Sequence, residues 1–325
     1  MKNWISKRGL SFKMILTIFA NVSVITSVIF IYIYIFSRDA IFEHLKENSH
    51  LLTHSTVSEV EKILTAVQKI PDNFSKLIVD GNYSAEELQK LLQIAVENND
   101  EIYGAAISFE PDYISAAHKY STIYISRDLE HKTTKAELVS KNDNSDQTMD
   151  WYLIPKQLGR PLWSEPYYDD GGGNIVMSTY SVPLFKTING KKQFIGILAA
   201  DLSLNWLQDI VSSIKIYQTG YAFMISRNGS LVTHPKKDLI MNETVFSIAE
   251  ETNSPQLREI GRHMLKGESS FAEVEYHNVA TGKLSWISYA PVTINGWSLG
   301  IVYPVDELLA SQKHLFETLV IDFHL

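Results

Sequence analysis

The chain has 325 residues, a net charge of −8 and no cysteine, which excludes disulfides, thiolate metal sites and cysteine nucleophiles. The first 13 residues hold four cations and no acid, so the remainder stands at −12. That balance argues against nucleic acid, which needs a basic face, and says nothing about which small molecules bind.

Residues 14–36, MILTIFANVSVITSVIFIYIYIF, carry no charge. Twenty-three residues at ~1.5 Å rise span about 34 Å, enough to cross a bilayer core with some tilt. Lys2, Lys7, Arg8 and Lys13 precede the run, so the positive-inside rule predicts a cytoplasmic tail over 1–13 and an extracytoplasmic chain beyond. The run is long for a signal-peptide core, and Phe36-Ser37-Arg38-Asp39-Ala40 offers no small-x-small cleavage site. It is read as an uncleaved membrane anchor. About 290 residues follow, room for two domains.

Next comes helical spacing, with Phe42, Leu45, Leu52, Val57, Val60, Leu64 and Val67 on one face and Pro71 expected to close the run. This predicts a stalk helix over 37–70, its stripe packed on its own domain or on a second copy in a homodimer. Ser84-Ala85-Glu86-Glu87 fits a capping box opening another helix. Strands are predicted at 102–109 and 122–126, and the polar, lysine-rich stretch 127–149 reads as an exposed loop.

Two long strands, 174–186 and 191–202, surround Thr187-Ile188-Asn189-Gly190, and the same four residues recur as Thr293-Ile294-Asn295-Gly296. Pro183 and Pro291 stand ahead of the two copies, with Gly196 and Gly300 behind. Asn-Gly between apolar runs is a strong hairpin signal, so one strand–turn–strand unit is expected twice, in tandem modules. Strands at 220–226, 230–234, 269–278, 283–292 and 297–303, with a helix over 257–265, complete the second copy. The class is α+β: an N-terminal transmembrane helix and stalk, then two antiparallel-sheet modules over 71–212 and 213–305. Residues 306–325 begin as an amphipathic helix returning to the membrane.

Residues 150–170 gather Trp151, Tyr152, Tyr167, Tyr168, Asp169 and Asp170, aromatic walls beside carboxylates suited to a cation or ammonium. Asp201 ends the apolar strand FIGILAAD, where an unpaired carboxylate would be costly; a helix N-cap is its alternative role. Asp169-Asp170-Gly171-Gly172-Gly173-Asn174 lacks the spacing of a phosphate loop or an EF-hand and reads as a hairpin loop. His234 has no partner at ligand spacing and reads as structural. No catalytic triad, HExxH or paired catalytic carboxylates stand out, so neither enzyme activity nor a cofactor or metal is expected.

The ordered set Trp151-Tyr152, Pro166-Tyr167-Tyr168-Asp169, Tyr180-Ser181-Val182-Pro183, Gly196 to Asp201, Thr219 to Ile225 and Asn228 to Pro235 resembles the double Cache sensor domain. Bacterial chemoreceptors, sensor histidine kinases and membrane serine phosphatases carry such domains. The resemblance implies two PAS-like modules along a long helix, with a small-molecule ligand in the membrane-distal one. It also implies a ligand set of Trp151, Tyr152, Tyr167, Asp169, Tyr180 and Asp201, with Asp201 on the ligand's amino group. Amino-acid readers of the family carry an Arg two residues before the Trp-Tyr pair; here that position is Met149, and their upstream Tyr falls at Asn144. The ligand class therefore stays open between an amine, an amino-acid-like solute and another small polar metabolite. A ligand-free structural or interaction module is the alternative.

Overall fold

The computed structural model describes residues 9–110, 120–128, 133–140, 145–170 and 174–310. The chain divides into two compact units, Met1–Ser49 with Leu308–Leu325, and His50–Glu307. The first contains a stretch long and apolar enough to cross a membrane, Leu10–Ile33, 24 residues with 0% of it buried. The tail before Gly9 and the C-terminal helix expected beyond Ala310 lie outside the described residues.

Helix α1, Leu10–Asp80, is 71 residues long and continues through Pro71, where the sequence predicted a stop. An interior proline removes one backbone hydrogen bond and costs about 3 kcal/mol. Val57, Val60, Leu64 and Val67 before it and Ile78 after it are buried, and that apolar packing outweighs the local break. Helix α2, Ala85–Glu97, opens with the predicted capping box: Glu87 N donates to Ser84 Oγ, and Ser84 N to the Glu87 carboxylate.

The first sheet contains β1 (Gly104–Phe109), β2 (Tyr120–Asp128), β3 (Thr133–Ser140), β4 (Leu162–Trp163), β5 (Tyr167–Tyr168), β6 (Val176–Ile188) and β7 (Lys191–Ser203). Helix α3, Asp150–Leu158, lies between β3 and β4. The order is β3-β2-β1-β7-β6-β4, with β5 also on β6, and every pairing is antiparallel. The expected loop over 127–149 is corrected here: β2 runs on to Asp128, and β3 pairs with it from Asp128↔Thr133 to Tyr120↔Ser140. An edge strand needs no continuous apolar run, and charges along it discourage edge-to-edge pairing, so β3 looks like a loop in sequence.

After α4 (Leu204–Ser213) comes the second sheet: β8 (Tyr221–Ile225), β9 (Leu231–Thr233), β10 (Ser270–His277), β11 (Leu284–Val292) and β12 (Trp297–Pro304). Helices α5 (Val245–Glu251) and α6 (Pro255–Leu265) lie between β9 and β10, and α7 (Val305–Leu308) follows. Its order β10-β11-β12-β8-β9 reproduces the first sheet's β4-β6-β7-β1-β2, which establishes the duplication in topology.

The repeated turns differ in detail. Ile188 pairs with Lys191, leaving Asn189 and Gly190 as a two-residue loop with both φ values positive, 52° and 76°. Val292 pairs with Trp297, so the second loop has four residues, and of its Asn-Gly pair only Gly296 has positive φ, 75°. One helix serves both sheets. Thr53 Oγ1 donates to Ser288 Oγ (2.8 Å), Glu61 accepts from the Thr293 amide and hydroxyl (2.8 and 2.6 Å), and Asp72 accepts from the Tyr180 hydroxyl (3.1 Å).

A Cβ at Gly190 would meet nothing within 4 Å, so Gly190→Ala tests backbone conformation alone. The expected loss is about 1–2 kcal/mol in urea unfolding; no loss would contradict the two-residue turn.

Candidate ligand-binding site

Side chains alternate between faces along a strand, and residues opposite each other across a ladder share a face. Gly104 pairs with Asp201, Ala106 with both Ala199 and Tyr124, Thr179 with Asp201, and Ser181 with Ala199. These small and polar residues, with Ser108, occupy one face of the first sheet. Larger apolar residues such as Ile107, Ile123 and Leu198 point to the other. Helix α3 covers the small-residue face: Tyr152 is buried in a cluster with Ala106, Tyr124, Ile197 and Ala199, and half-buried Trp151 packs against it with Phe194.

Asp201 is 5% exposed. Its Oδ1 accepts from Thr179 Oγ1 (2.7 Å), and the Tyr167 hydroxyl shares a hydrogen bond with the same threonine oxygen (2.7 Å). Burial pushes the Asp201 carboxyl up to about 7; the Thr179 hydrogen bond opposes this, and the nearby Asp169 charge adds to it. Burial also raises the Tyr124 hydroxyl, with Asp201 the next cause. That hydroxyl is turned toward Asp201 yet, among the described residues, completes no well-formed hydrogen bond, and Ser181 Oγ on the same face is likewise buried with no partner among them. Gly104 makes room for it, since a Cβ there would lie 2.4 Å from the Tyr124 hydroxyl oxygen. Where α3 meets the end of β1, Glu110 accepts from the Tyr152 hydroxyl (2.7 Å) and from Lys156 Nζ (2.5 Å).

The site residues expected from sequence therefore separate into two groups. Trp151, Tyr152, Tyr167 and Asp201 belong to the small-residue face, and Asp169 is close enough for its charge to act on Asp201. Tyr180 is placed elsewhere: it lies one residue from Thr179 in β6 and so points to the opposite face, beside Trp163 and on Asp72 of α1. The N-cap of α4 is Ser203, whose Oγ accepts from Trp206 N, so Asp201 is not spent on capping. Met149 caps α3 without a side-chain hydrogen bond and is 48% exposed, and Arg160 is exposed beyond α3. Asn144 and the glycines 171–173 lie outside the described residues.

Sequence reasoning missed Thr179, Tyr124, Gly104 and Ser181. The available signal was the alternation of small residues, Gly104-x-Ala106-x-Ser108 and Ala199-x-Asp201, opposite strands of similar pattern. His234 is buried in the second sheet's core. Its Nδ1 accepts from Lys236 N (3.1 Å) and burial holds the imidazole down at about 4, so the ring is neutral and structural. Among the described residues no group of three or more His, Cys, Asp or Glu is arranged to hold a metal.

Two family models match the chain: a methyl-accepting chemotaxis protein-like first PDC sensor domain over residues 88–209, and a Cache 3/Cache 2 fusion domain over 176–317. The methyl-accepting chemotaxis protein PctB of Pseudomonas aeruginosa is 25% identical over 276 residues, 84% of this chain and 37% of PctB. The chain thus spans little more than a third of that relative's length. The PctB ligand-binding domain in complex with L-Gln superposes with a TM-score of 0.56 at 21% identity, covering 84% of this chain and 99% of that one. The periplasmic sensory domain of the Campylobacter jejuni chemoreceptor Tlp1 gives 0.64 at 11% identity, covering 83% and 98%. Two antiparallel sheets of common order carried on one helix agree with these matches, and the chain has the tandem-sheet fold of chemoreceptor and histidine-kinase sensor domains.

Proposed function

We propose that the chain is the sensing part of a membrane-anchored receptor, with Leu10–Ile33 as its span and the two sheets outside the cytoplasm. The first sheet is the membrane-distal ligand-binding module (71–212) and the second (213–305) the proximal one, by analogy with the sensor domains the chain resembles. The observation that carries this reading is a buried carboxylate, Asp201, on a face of small side chains roofed by Trp151 and Tyr152. Small side chains leave volume for a solute, the aromatic rings provide apolar walls, and the carboxylate fixes a donor group. The ligand is a small solute bearing an ammonium or comparable donor, held by Asp201, Tyr167 and Asp169 near Trp151 and Tyr152. The relatives' chemotactic role and the amino-acid complex of PctB support small-molecule sensing of this kind. Binding shifts a two-state equilibrium in the helices near the membrane, and a coupling of about 1–3 kcal/mol suffices for a graded response. Dimerisation through α1 and a downstream effector complete the scheme.

A thermal-shift screen of amines, amino acids and carboxylates tests the proposal. At least one compound is expected to raise the melting temperature by linkage, and Asp201→Ala is expected to abolish that shift while the fold persists. A full shift retained in Asp201→Ala removes the carboxylate from the site; no shift with any compound favours a ligand-free module.

Because Asp201 titrates near 7 when folded and at about 3.8 when unfolded, the folded state holds the extra proton between those values. Stability from this group therefore falls as pH rises from about 4 to 7, by as much as about 4 kcal/mol. Asp201→Asn is expected to melt well above the parent at pH 8 and close to it at pH 4. An equal difference at both pH values would contradict the buried, desolvated carboxyl. For a cationic ligand, affinity is expected to rise with pH and level off above about 7, read by calorimetric titration at pH 5.5, 6.5 and 7.5.

A further inference from the structure

Arg227 of the second sheet reaches toward the Asp201 site. Arg227 sits in the turn between β8 and β9, and its Nε donates to Glu165 Oε1 (2.5 Å) while its Nη2 donates to the Trp163 carbonyl (3.0 Å). Those two acceptors flank Ser164. Ser164 in turn is locked to the adjoining stretch of β6 by three hydrogen bonds. Its amide donates to the Thr179 carbonyl (2.8 Å), its Oγ accepts from the Thr179 amide (2.9 Å), and its carbonyl accepts from Ser178 Oγ (3.0 Å). Thr179 Oγ1 is the group that donates to Asp201. Ser164, Ser178, Thr179 and Asp201 are all buried, so water cannot readily substitute for any of these contacts.

We propose that Arg227 is a positioning residue for the Asp201 site: by gripping the chain on both sides of Ser164, the second module sets the placement of Thr179 in the first. The inference rests on the reading of the Asp201 face as the ligand site. A guanidinium suits the task because its planar fork meets a carboxylate and a carbonyl at once, which an ammonium on a flexible stem does not. The Arg227 stem is held in turn by the second Asn-Gly loop, where a Cβ on Gly296 would stand 3.2 Å from Arg227 Cγ and Cδ. Among the described residues Glu165 Oε2 is buried with no hydrogen-bond partner.

The test requires no ligand and so is independent of whether one is found. Full-length protein in detergent micelles, as the parent, Asp201→Asn, Arg227→Gln and the double variant, is melted from pH 4 to 8.5. The pH at which the Asp201→Asn advantage is half developed reports the Asp201 titration in each background. Loss of the grip loosens the Thr179 hydrogen bond to the charged carboxylate, so Arg227→Gln is expected to move that midpoint up by about half a pH unit or more. Arg227→Lys, which keeps the charge and folds if the glutamine variant does not, is expected to move it the same way. A midpoint unchanged in both variants, with only a uniform loss of stability, means a plain inter-module ion pair and overturns the proposal. A downward shift overturns it too, since it would mean that Arg227 merely keeps water from Asp201. If the screen then yields a ligand, both Arg227 variants are expected to weaken it about tenfold with Asp201 intact; equal affinity would overturn the positioning role and leave the ligand site standing.

Discussion

A carboxylate taken out of water loses hydration worth several kcal/mol, and the first sheet is organised around one such group. Asp201 sits on β7 opposite Gly104 on one neighbour and Thr179 on the other. One opposing residue has no side chain, which leaves room for the Tyr124 hydroxyl, and the other ends in a hydroxyl that gives the acid one fixed donor. The pairing register makes this possible, because slipping β6 by one residue would replace Thr179 with Tyr180 or Ser178 and turn the hydroxyl away. A site held by ladder register is stiff, which suits a receptor that must distinguish solutes by small differences in contact geometry.

The second sheet has the same strand order but spends its core differently. Tyr221, Phe223, Ile225, Val245, Ile248 and Leu257 pack within one apolar cluster, and His234 is kept neutral beside Tyr221. The duplicated fold has thus produced one sheet whose covered face is small and polar and one whose covered face is lined by large apolar and aromatic side chains around a small cavity. Its exit is also tied: Glu307 accepts from the Gln218 and Thr219 amides and from Lys283, joining the end of β12 to the entrance of β8.

Much of the architecture was legible before any coordinates. Asn189-Gly190 between apolar runs fixed a hairpin, Ser84 and Glu87 fixed a helix start, and a lone acid ending an apolar strand marked Asp201. What stayed hidden depends on contacts distant in sequence. Pro71 signalled a helix end, and only the buried stripe around it shows why the helix continues. The β3 strand is polar because it is an edge. Tyr180 entered the expected ligand set through the family resemblance, yet its face is set by register with β7 and not by residue type. Thr179, its neighbour, meets Asp201 instead and has no distinguishing signal of its own. Arg227 is ordinary in sequence, and only the folded chain brings it to Ser164.

We propose that a solute is held between the Asp201 carboxylate and the α3 aromatics. A crystal structure of the sensing region grown with the best stabilising compound tests this. Ordered ligand density is expected on the small-residue face, with a donor atom of the ligand within hydrogen-bond distance of Asp201 and its apolar part against Trp151. Density lodged in the second sheet, or on the Tyr180 side of the first, would contradict it.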